Sequence, residues 1–334
     1  MNKFIIVALI SLAFSRSILR LSEEETFGLF QKFIKKYNKK YASIEEFMAR
    51  YKLFSAFLGR PERNDISWKE GITKFSDMTY QEFKKTYCNL NYNYLTAINS
   101  RPAHFVPNGD APDEYNFIDQ GYLQKVKDQG SCGSCYAFST IANLEGLYFK
   151  KMGKNKAFSE QMIVDCDTED SGCNGGLMEL TFDWIKSNGG IESEKDYPYT
   201  GRSQKCKADK TLYDPDLKVT GYVKLGDPDK TWSPVDEDEI KEFLYKTGPL
   251  AIALNADALM YYSSGIIDAS KKECDPDGMD HAVTLVGYGV SNGTPFWTVR
   301  NSWGASWGEA GYFRMYRGKG VCGINQYITT ATIA

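Results

Sequence analysis

Histidine is scarce in this chain: its 334 residues contain two, His104 and His281. A histidine-rich metal centre or a zinc finger needs more imidazoles or more paired thiols at finger spacing, so no metal site of that kind is expected. Long apolar runs are missing too. The longest, Phe4 to Phe14, is eleven residues, whereas a membrane-spanning helix needs about 20, so no membrane span is expected. Basic charge is not in excess: the formal net charge is −3, which gives no reason to expect a nucleic-acid partner. Hydrophobic residues make up 42% and charged residues 25%, an ordinary globular composition, and the length suggests about two domains. No internal repeat is visible.

What is present begins with that apolar run. It follows Lys3 and ends in Ala13-Phe14-Ser15, a small-x-small pattern, and reads as a secretory signal over residues 1–15. Passage through an oxidising compartment makes disulfides the default use of the eight cysteines. Seven of them lie beyond residue 130, so that part has at least one thiol without a partner. Charge divides the chain as well. Residues 16–110 carry 16 Lys/Arg against 11 Asp/Glu, and residues 111–334 carry 23 against 32. Two segments of opposite sign attract one another, within the range that salt allows.

The first segment is helical in pattern. Ser22-x-x-Glu25 is a candidate capping box, followed by Phe27, Phe30, Ile34 and Tyr37 at helical spacing. A second helix is predicted from Ile44 to about Phe57, with Pro61 as its stop. Residues 89–110, rich in Asn, Pro and Gly, read as a linker or strap containing His104. A long, largely buried helix is predicted from Cys135 to about Lys151, and a shorter one over Met178–Ile185. From Leu250 onward strands are predicted at Leu250–Leu254, Ala282–Tyr288, Phe296–Arg300 and Tyr312–Tyr316, with Asn292-Gly293 as a hairpin turn. The fold class is therefore α+β: a helical half, a sheet-rich half, and a seam between them where ligands commonly bind.

His281 is the sole imidazole of the C-terminal region, placed where an apolar strand begins. One unpaired thiol and one imidazole are the minimum parts of a thiolate–imidazolium nucleophile. Cys135, at the N-terminus of the long helix, has the place where aligned peptide dipoles favour a thiolate. Cys132-x-x-Cys135 also fits a redox pair, and a thiol–disulfide oxidoreductase remains an alternative on this evidence.

The segment Gln129 to Ser139, with Cys132-Gly133-Ser134-Cys135-Tyr136 at its centre, resembles the nucleophile motif of papain-family cysteine proteases. So do Asp165-Cys166, Gly172-Cys173-Asn174-Gly175-Gly176, Tyr197-Pro198-Tyr199, Gly248-Pro249, Met279-Asp280-His281-Ala282 and Asn301-Ser302-Trp303-Gly304. These motifs span nearly all of residues 111–334, and the likeness is greatest to the cathepsin L-like branch in zymogen form. The resemblance implies a two-lobed fold with a β-barrel-like lobe, and no metal or organic cofactor. It makes Cys135 the nucleophile, His281 its acid–base partner, Asn301 the residue that orients the imidazole, Trp303 its shield from water and Gln129 an oxyanion-hole donor. It places Gly176 against extended substrate and lines the P2 pocket with Leu177, Met178, Ala253, Met279 and Ala282, Tyr327 forming the floor and Asp280 adjoining. A shallow pocket preferring Leu or Val over Phe and rejecting Arg is expected.

The same resemblance implies bridges Cys132–Cys173, Cys166–Cys206 and Cys274–Cys322. Cys88 is then left over, either unpaired or available for a transient or intermolecular bridge. Residues 16–110 resemble an inhibitory propeptide, with Glu46-x3-Arg50-x3-Phe54 and Gly71, Phe75 and Asp77 matching parts of its motifs. Phe57, Pro61 and Thr73 depart from them. Maturation is expected around Ala111, leaving residues 111–334 as the peptidase domain. Tyr136 and Ile118 stand where Trp is usual, and no occluding loop is visible, which favours endopeptidase action. Expected partners are peptide or protein substrates, the propeptide itself and cystatin-type inhibitors, for a monomer in a lysosome, an acidic vacuole or the extracellular space. A papain-fold binding protein without activity is the other alternative. Asn292-Gly293-Thr294 is a glycosylation candidate.

Overall fold

The computed structural model describes residues 21–90, 103, 105–226 and 233–334. The expected signal, most of the expected linker and His104 lie outside the described residues. The chain forms two compact units, one ending at Pro61 and one beginning at Glu62.

In the first unit, helix α1 (Glu23–Lys36) opens on the capping box that its sequence announces: Ser22 accepts from the Glu25 backbone, and the Glu25 side chain returns to the Ser22 N–H. Helix α2 (Ile44–Leu58) is capped by Ser43 and ends at Gly59, two residues ahead of Pro61. Aromatic side chains join the two helices. Phe30 packs against Phe54 with ring centroids 5.3 Å apart, and Phe33 against Phe54 at 4.9 Å.

The second unit has two hydrophobic cores. Around one, helix α4 (Cys135–Met152) is buried on all sides over its first fourteen residues, as a helix at the centre of a lobe must be. Helices α5 (Glu160–Cys166) and α6 (Met178–Asn188) pack against α4. The other core lies in a sheet of nine strands: β1 (Trp68–Glu70), β2 (Tyr115–Asn116), β3 (Val219–Leu225), β4 (Leu250–Leu254), β5 (Tyr262–Ile267), β6 (His281–Ser291), β7 (Thr294–Arg300), β8 (Tyr312–Tyr316) and β9 (Tyr327–Ile333). Their order is β1-β5-β8-β7-β6-β4-β9-β3, with β2 added beside β6. Strands β6 and β7 form the predicted hairpin. Ser291 faces Thr294, and Asn292 and Gly293 both take positive φ, at 50° and 79°. The disulfides are Cys132–Cys173, Cys166–Cys206 and Cys274–Cys322.

Several elements went unpredicted. Helix α3 (Tyr80–Tyr87) is only eight residues long, too short for periodicity to stand out. Helix α7 (Glu237–Thr247) buries Ile240, Phe243 and Leu244 together with Glu237, Glu239 and Glu242, so its acidic sequence hid its apolar face, and Asp236 is its cap. Strand β3 mixes Thr, Gly and Lys with its apolar residues, and is held by β9 through residues more than a hundred positions away. The α6 helix also runs three residues beyond its expected end, to an αL cap at Gly189.

Candidate active site

The local sequence explains how Cys135 reaches its place. Gly133 donates its N–H to the Cys173 carbonyl at 2.9 Å, and the Cys132–Cys173 disulfide fastens the same turn. Ser134 is the N-cap residue of α4 but makes no side-chain cap; its hydroxyl pairs with Tyr199 at 2.7 Å. The first turn of α4 therefore presents its backbone N–H groups near Cys135, and that residue is fully buried.

His281 arrives from the other core, as the first residue of β6. The β6–β7 register sets Thr284 opposite Arg300, which carries residues 301–303 to the His281 end of the hairpin. There Nε2 of His281 donates to Oδ1 of Asn301 at 2.8 Å, and that oxygen also accepts from the Ser302 N–H at 2.9 Å. The Trp303 ring stacks on the imidazole with centroids 4.7 Å apart. Gln129 is locked beside them. Its backbone donates to the Ser302 carbonyl at 2.8 Å, and its side-chain oxygen accepts from the Ser302 hydroxyl at 2.6 Å. Its Nε2 donates to Cys132 O at 3.0 Å and Tyr87 O at 3.4 Å.

Residues 62–90 run over this site. Strand β1 pairs with β5, and Gly71 donates to the Tyr261 carbonyl at 2.8 Å. Phe75, Phe83 and Tyr87 then close around Trp303, at centroid distances of 4.9, 5.4 and 6.3 Å. Lys74 Nζ lies 2.6 Å from Asp128 Oδ2, and Lys84 Nζ pairs with Asp257 at 2.6 Å and with Asp280. Arg63 pairs with Glu273. Beyond α3, Asn89 passes so close to Gly133 and Gly175 that a Cβ on either would strike it. Leu90 then bridges Gly176 in parallel and donates its N–H to the Asp280 carbonyl at 2.9 Å. Its side chain is buried in the cluster that holds Leu177, Met178, Ala253, Met279, Ala282 and Tyr327. The expected pocket residues thus belong to one hydrophobic cluster, and Leu90 belongs to the same cluster.

This cover changes the electrostatics. Burial pushes the Cys135 thiol up to about 11, even though backbone N–H groups of Ala282, Asn89 and its own helix favour the thiolate. Burial, aided by the nearby Lys84 ammonium, lowers His281 to about 4 against the opposing effect of its Asn301 bond. Both groups are therefore neutral at pH 7 in this state. No cluster of three or more metal-binding side chains occurs among the described residues. Nor is any helix among them long and apolar enough to cross a membrane. Asn292 is exposed at its turn.

Sequence reasoning missed Lys84, Tyr87 and Leu90, which cover the site, because the segment around them has little pattern. The one available signal was the excess of basic charge before residue 110, since Lys74, Lys84 and Arg63 all meet acidic partners beyond it. Ser302, which binds Gln129 through both backbone and side chain, was in plain view inside the Asn301-Ser302-Trp303-Gly304 motif.

Residues 111–332 match the papain family of cysteine proteases, and residues 30–83 match the cathepsin propeptide inhibitor domain. Cathepsin F of Drosophila melanogaster is 39% identical over 92% of this chain, which spans about half the length of that relative. Cysteine proteinase 15A of Pisum sativum is 37% identical, covering 91% of this chain and 86% of its own. Among solved structures, the digestive procathepsin L2 proteinase from Tenebrio molitor larval midgut superposes with a TM-score of 0.81 at 30% identity, covering 92% of this chain and 99% of its own. The recombinant stem bromelain precursor gives 0.80 at 32% identity, covering 92% and 98%.

Proposed function

The chain belongs to the papain family of cysteine proteases and carries a propeptide inhibitor domain, and from that premise we propose an endopeptidase that works through a Cys135–His281 pair once its own pro-segment is removed. The pro-segment, residues 16–110, is released at about Ala111, and residues 111–334 form the peptidase. In the uncovered enzyme the Cys135 thiol passes its proton to His281, and the thiolate attacks the substrate carbonyl carbon. The carbon–nitrogen bond breaks, the amine leaves with the proton from His281, and a thioester remains on Cys135. Water then gives a proton to His281 and its oxygen to the acyl carbon, and the acid product leaves as the thiol is restored. Asn301 keeps the imidazole turned toward Cys135. Gln129 Nε2, with the Cys135 backbone N–H, stabilises the oxyanion.

One observation carries this reading: the Tyr87 carbonyl accepts from Gln129 Nε2 and also faces the His281 ring. A backbone carbonyl on the proposed oxyanion donor, with Leu90 bridging Gly176 and buried in the same cluster as the proposed P2 residues, supports a cleft that takes a peptide main chain and an aliphatic side chain. The burial of Leu90 in one cluster with a fully buried Tyr327 supports Leu or Val at P2 over Phe or Arg. Cys132 is bonded to Cys173, which counts against the oxidoreductase alternative, since that needs a reversible Cys132–Cys135 pair.

Acid release follows from the same cover, as carboxylates facing Lys84 and Arg63 take up protons. Entry to the secretory pathway, an acidic compartment or the extracellular space as destination, action as a monomer, a glycan on Asn292 and inhibition by cystatin-type proteins in the same cleft belong to this proposal. The test is acid treatment of the purified full chain under mild reductant, beside Cys135→Ala, following mass and hydrolysis of a Leu-Arg fluorogenic peptide. Activity in the unsubstituted chain alone, with loss of the pro-segment, supports the reading. Processing without hydrolysis of peptides varied at P2 would leave the inactive-scaffold alternative standing.

A further inference from the structure

Behind the Tyr327 ring lies a charge pair that the chemistry of the cleft does not use. Glu179, in the first turn of α6, and Lys224, on β3, are 0% and 5% exposed, with Lys224 Nζ 3.8 Å from Glu179 Oε1. Lys224 faces Thr329 in the β3–β9 register, and Tyr327 and Thr329, two residues apart on one strand, share a face. The ammonium consequently comes over the Tyr327 ring, 5.5 Å from its centroid. At the other end of that ring, the Tyr327 hydroxyl and the Glu179 carboxylate interact closely enough to shift one another. Burial raises both groups first of all, and Lys224 pulls the carboxyl back down.

A buried ion pair is a poor way to fill space, because desolvation offsets much of its attraction and apolar side chains of similar volume would serve as well. Its worth lies in direction: a phenol flanked by buried charge has fewer places to go than a phenylalanine ring. We propose that Glu179 and Lys224 are positioning residues for substrate selection, holding Tyr327 as a rigid floor that sets the P2 pocket to the depth of a branched aliphatic side chain. Leu90 is a side chain of that size, and it is buried in the same cluster as the ring. This inference rests on the endopeptidase reading for its consequence but not for its geometry.

Two measurements test it. The first compares kcat/KM on matched fluorogenic peptides with Leu or Phe at P2, for the processed enzyme and for Glu179→Gln, Tyr327→Phe and Lys224→Met. The Leu-over-Phe ratio is expected to fall tenfold or more in each variant, mostly through KM for the Phe peptide; one methylene in an apolar pocket is worth about 10–200-fold. The second needs no activity. In the unprocessed full chain, Leu90→Phe is expected to lower the melting temperature, and to lower it much less when combined with Glu179→Gln or Tyr327→Phe. A P2 ratio that does not move in variants that fold, or melting effects that simply add, overturns the inference. If the unsubstituted enzyme cleaves neither peptide, the endopeptidase reading falls, and the melting cycle alone decides whether the floor is held rigid.

Discussion

The backbone N–H of Leu90 donates to the carbonyl of Asp280 at 2.9 Å, one residue ahead of His281. The same Leu90 bridges Gly176, on the other side of the cleft, in parallel. Leu90 is thus attached through its main chain to residues on two different elements while its side chain is buried, the pattern of attachment that strand addition uses. The carboxylate of Asp280 serves the same end, pairing with Lys84.

Removing that fit should loosen the cover. Full burial of a leucine contributes about 1.5–3 kcal/mol, and a carboxylate in its place would add a desolvation cost. A Leu90→Asp full chain assayed at pH 7 without acid treatment is expected to show at least tenfold more peptide hydrolysis than the unsubstituted zymogen. Equal silence in both would mean that the pocket contact does not hold the segment down.

Thiol chemistry reports the cover directly. With the Cys135 thiol pushed up to about 11, its thiolate fraction at pH 7 is on the order of 10⁻⁴, and it grows only as pH climbs toward that value. Alkylation of Cys135 by iodoacetamide at pH 7 is expected to be slow in the full chain and orders of magnitude faster after processing. A Cys88→Ser background keeps the other free thiol from confusing the readout. Comparable rates before and after processing would contradict a neutral, buried nucleophile.

The ion pairs fix the direction of the pH response. Burial works to raise the Asp257 carboxyl, but bonds from Lys84 and Tyr80 outweigh it and hold the group below its ordinary 3.8. The Ser270 backbone and Arg63 together hold Glu273 below 4.5. A carboxyl held low contributes docking stability that is complete above its ordinary value and is lost as pH falls through the lowered one. These two pairs therefore release in strong acid, at about pH 4 and below. Lys84→Ala removes the Asp257 contribution at every pH above that window. Its processing is expected to speed up most at pH 5–6 and least at pH 3.5, and a uniform acceleration across the range would argue against the pairing.

Two substitutions in the processed enzyme separate roles within the cleft. Gln129→Ala is expected to cost about 10²–10³ in kcat, the usual loss for one oxyanion donor. Asn301→Ala removes a bond to a ring that becomes charged, worth about 1.5–3 kcal/mol, so kcat should fall roughly ten- to hundredfold with a displaced pH profile. Stopped-flow or steady-state kinetics from pH 4 to 9 distinguish the two, since the Gln129 variant should keep the original profile.

Sequence alone determined the parts of this protein that short-range physics controls. The capping box at Ser22, the start of α4 at Cys135, the Asn292-Gly293 turn and the odd number of cysteines beyond residue 130 are each set by neighbours a few positions away or by simple parity. Family motifs around Gln129, Cys135, His281 and Asn301 named the candidate site, and the hairpin register accounts for how His281 and Asn301 meet. Only the tertiary structure decided what covers and shapes that site. Nothing near Leu90 marks it for burial, and Lys84 lies in a helix too short for its pattern to stand out. Lys224 reads as a surface lysine until β9 and α6 enclose it. Those outcomes come from contacts between residues far apart in the chain, whose energies depend on which surfaces meet and how much water they exclude, and no local pattern of residues encodes that.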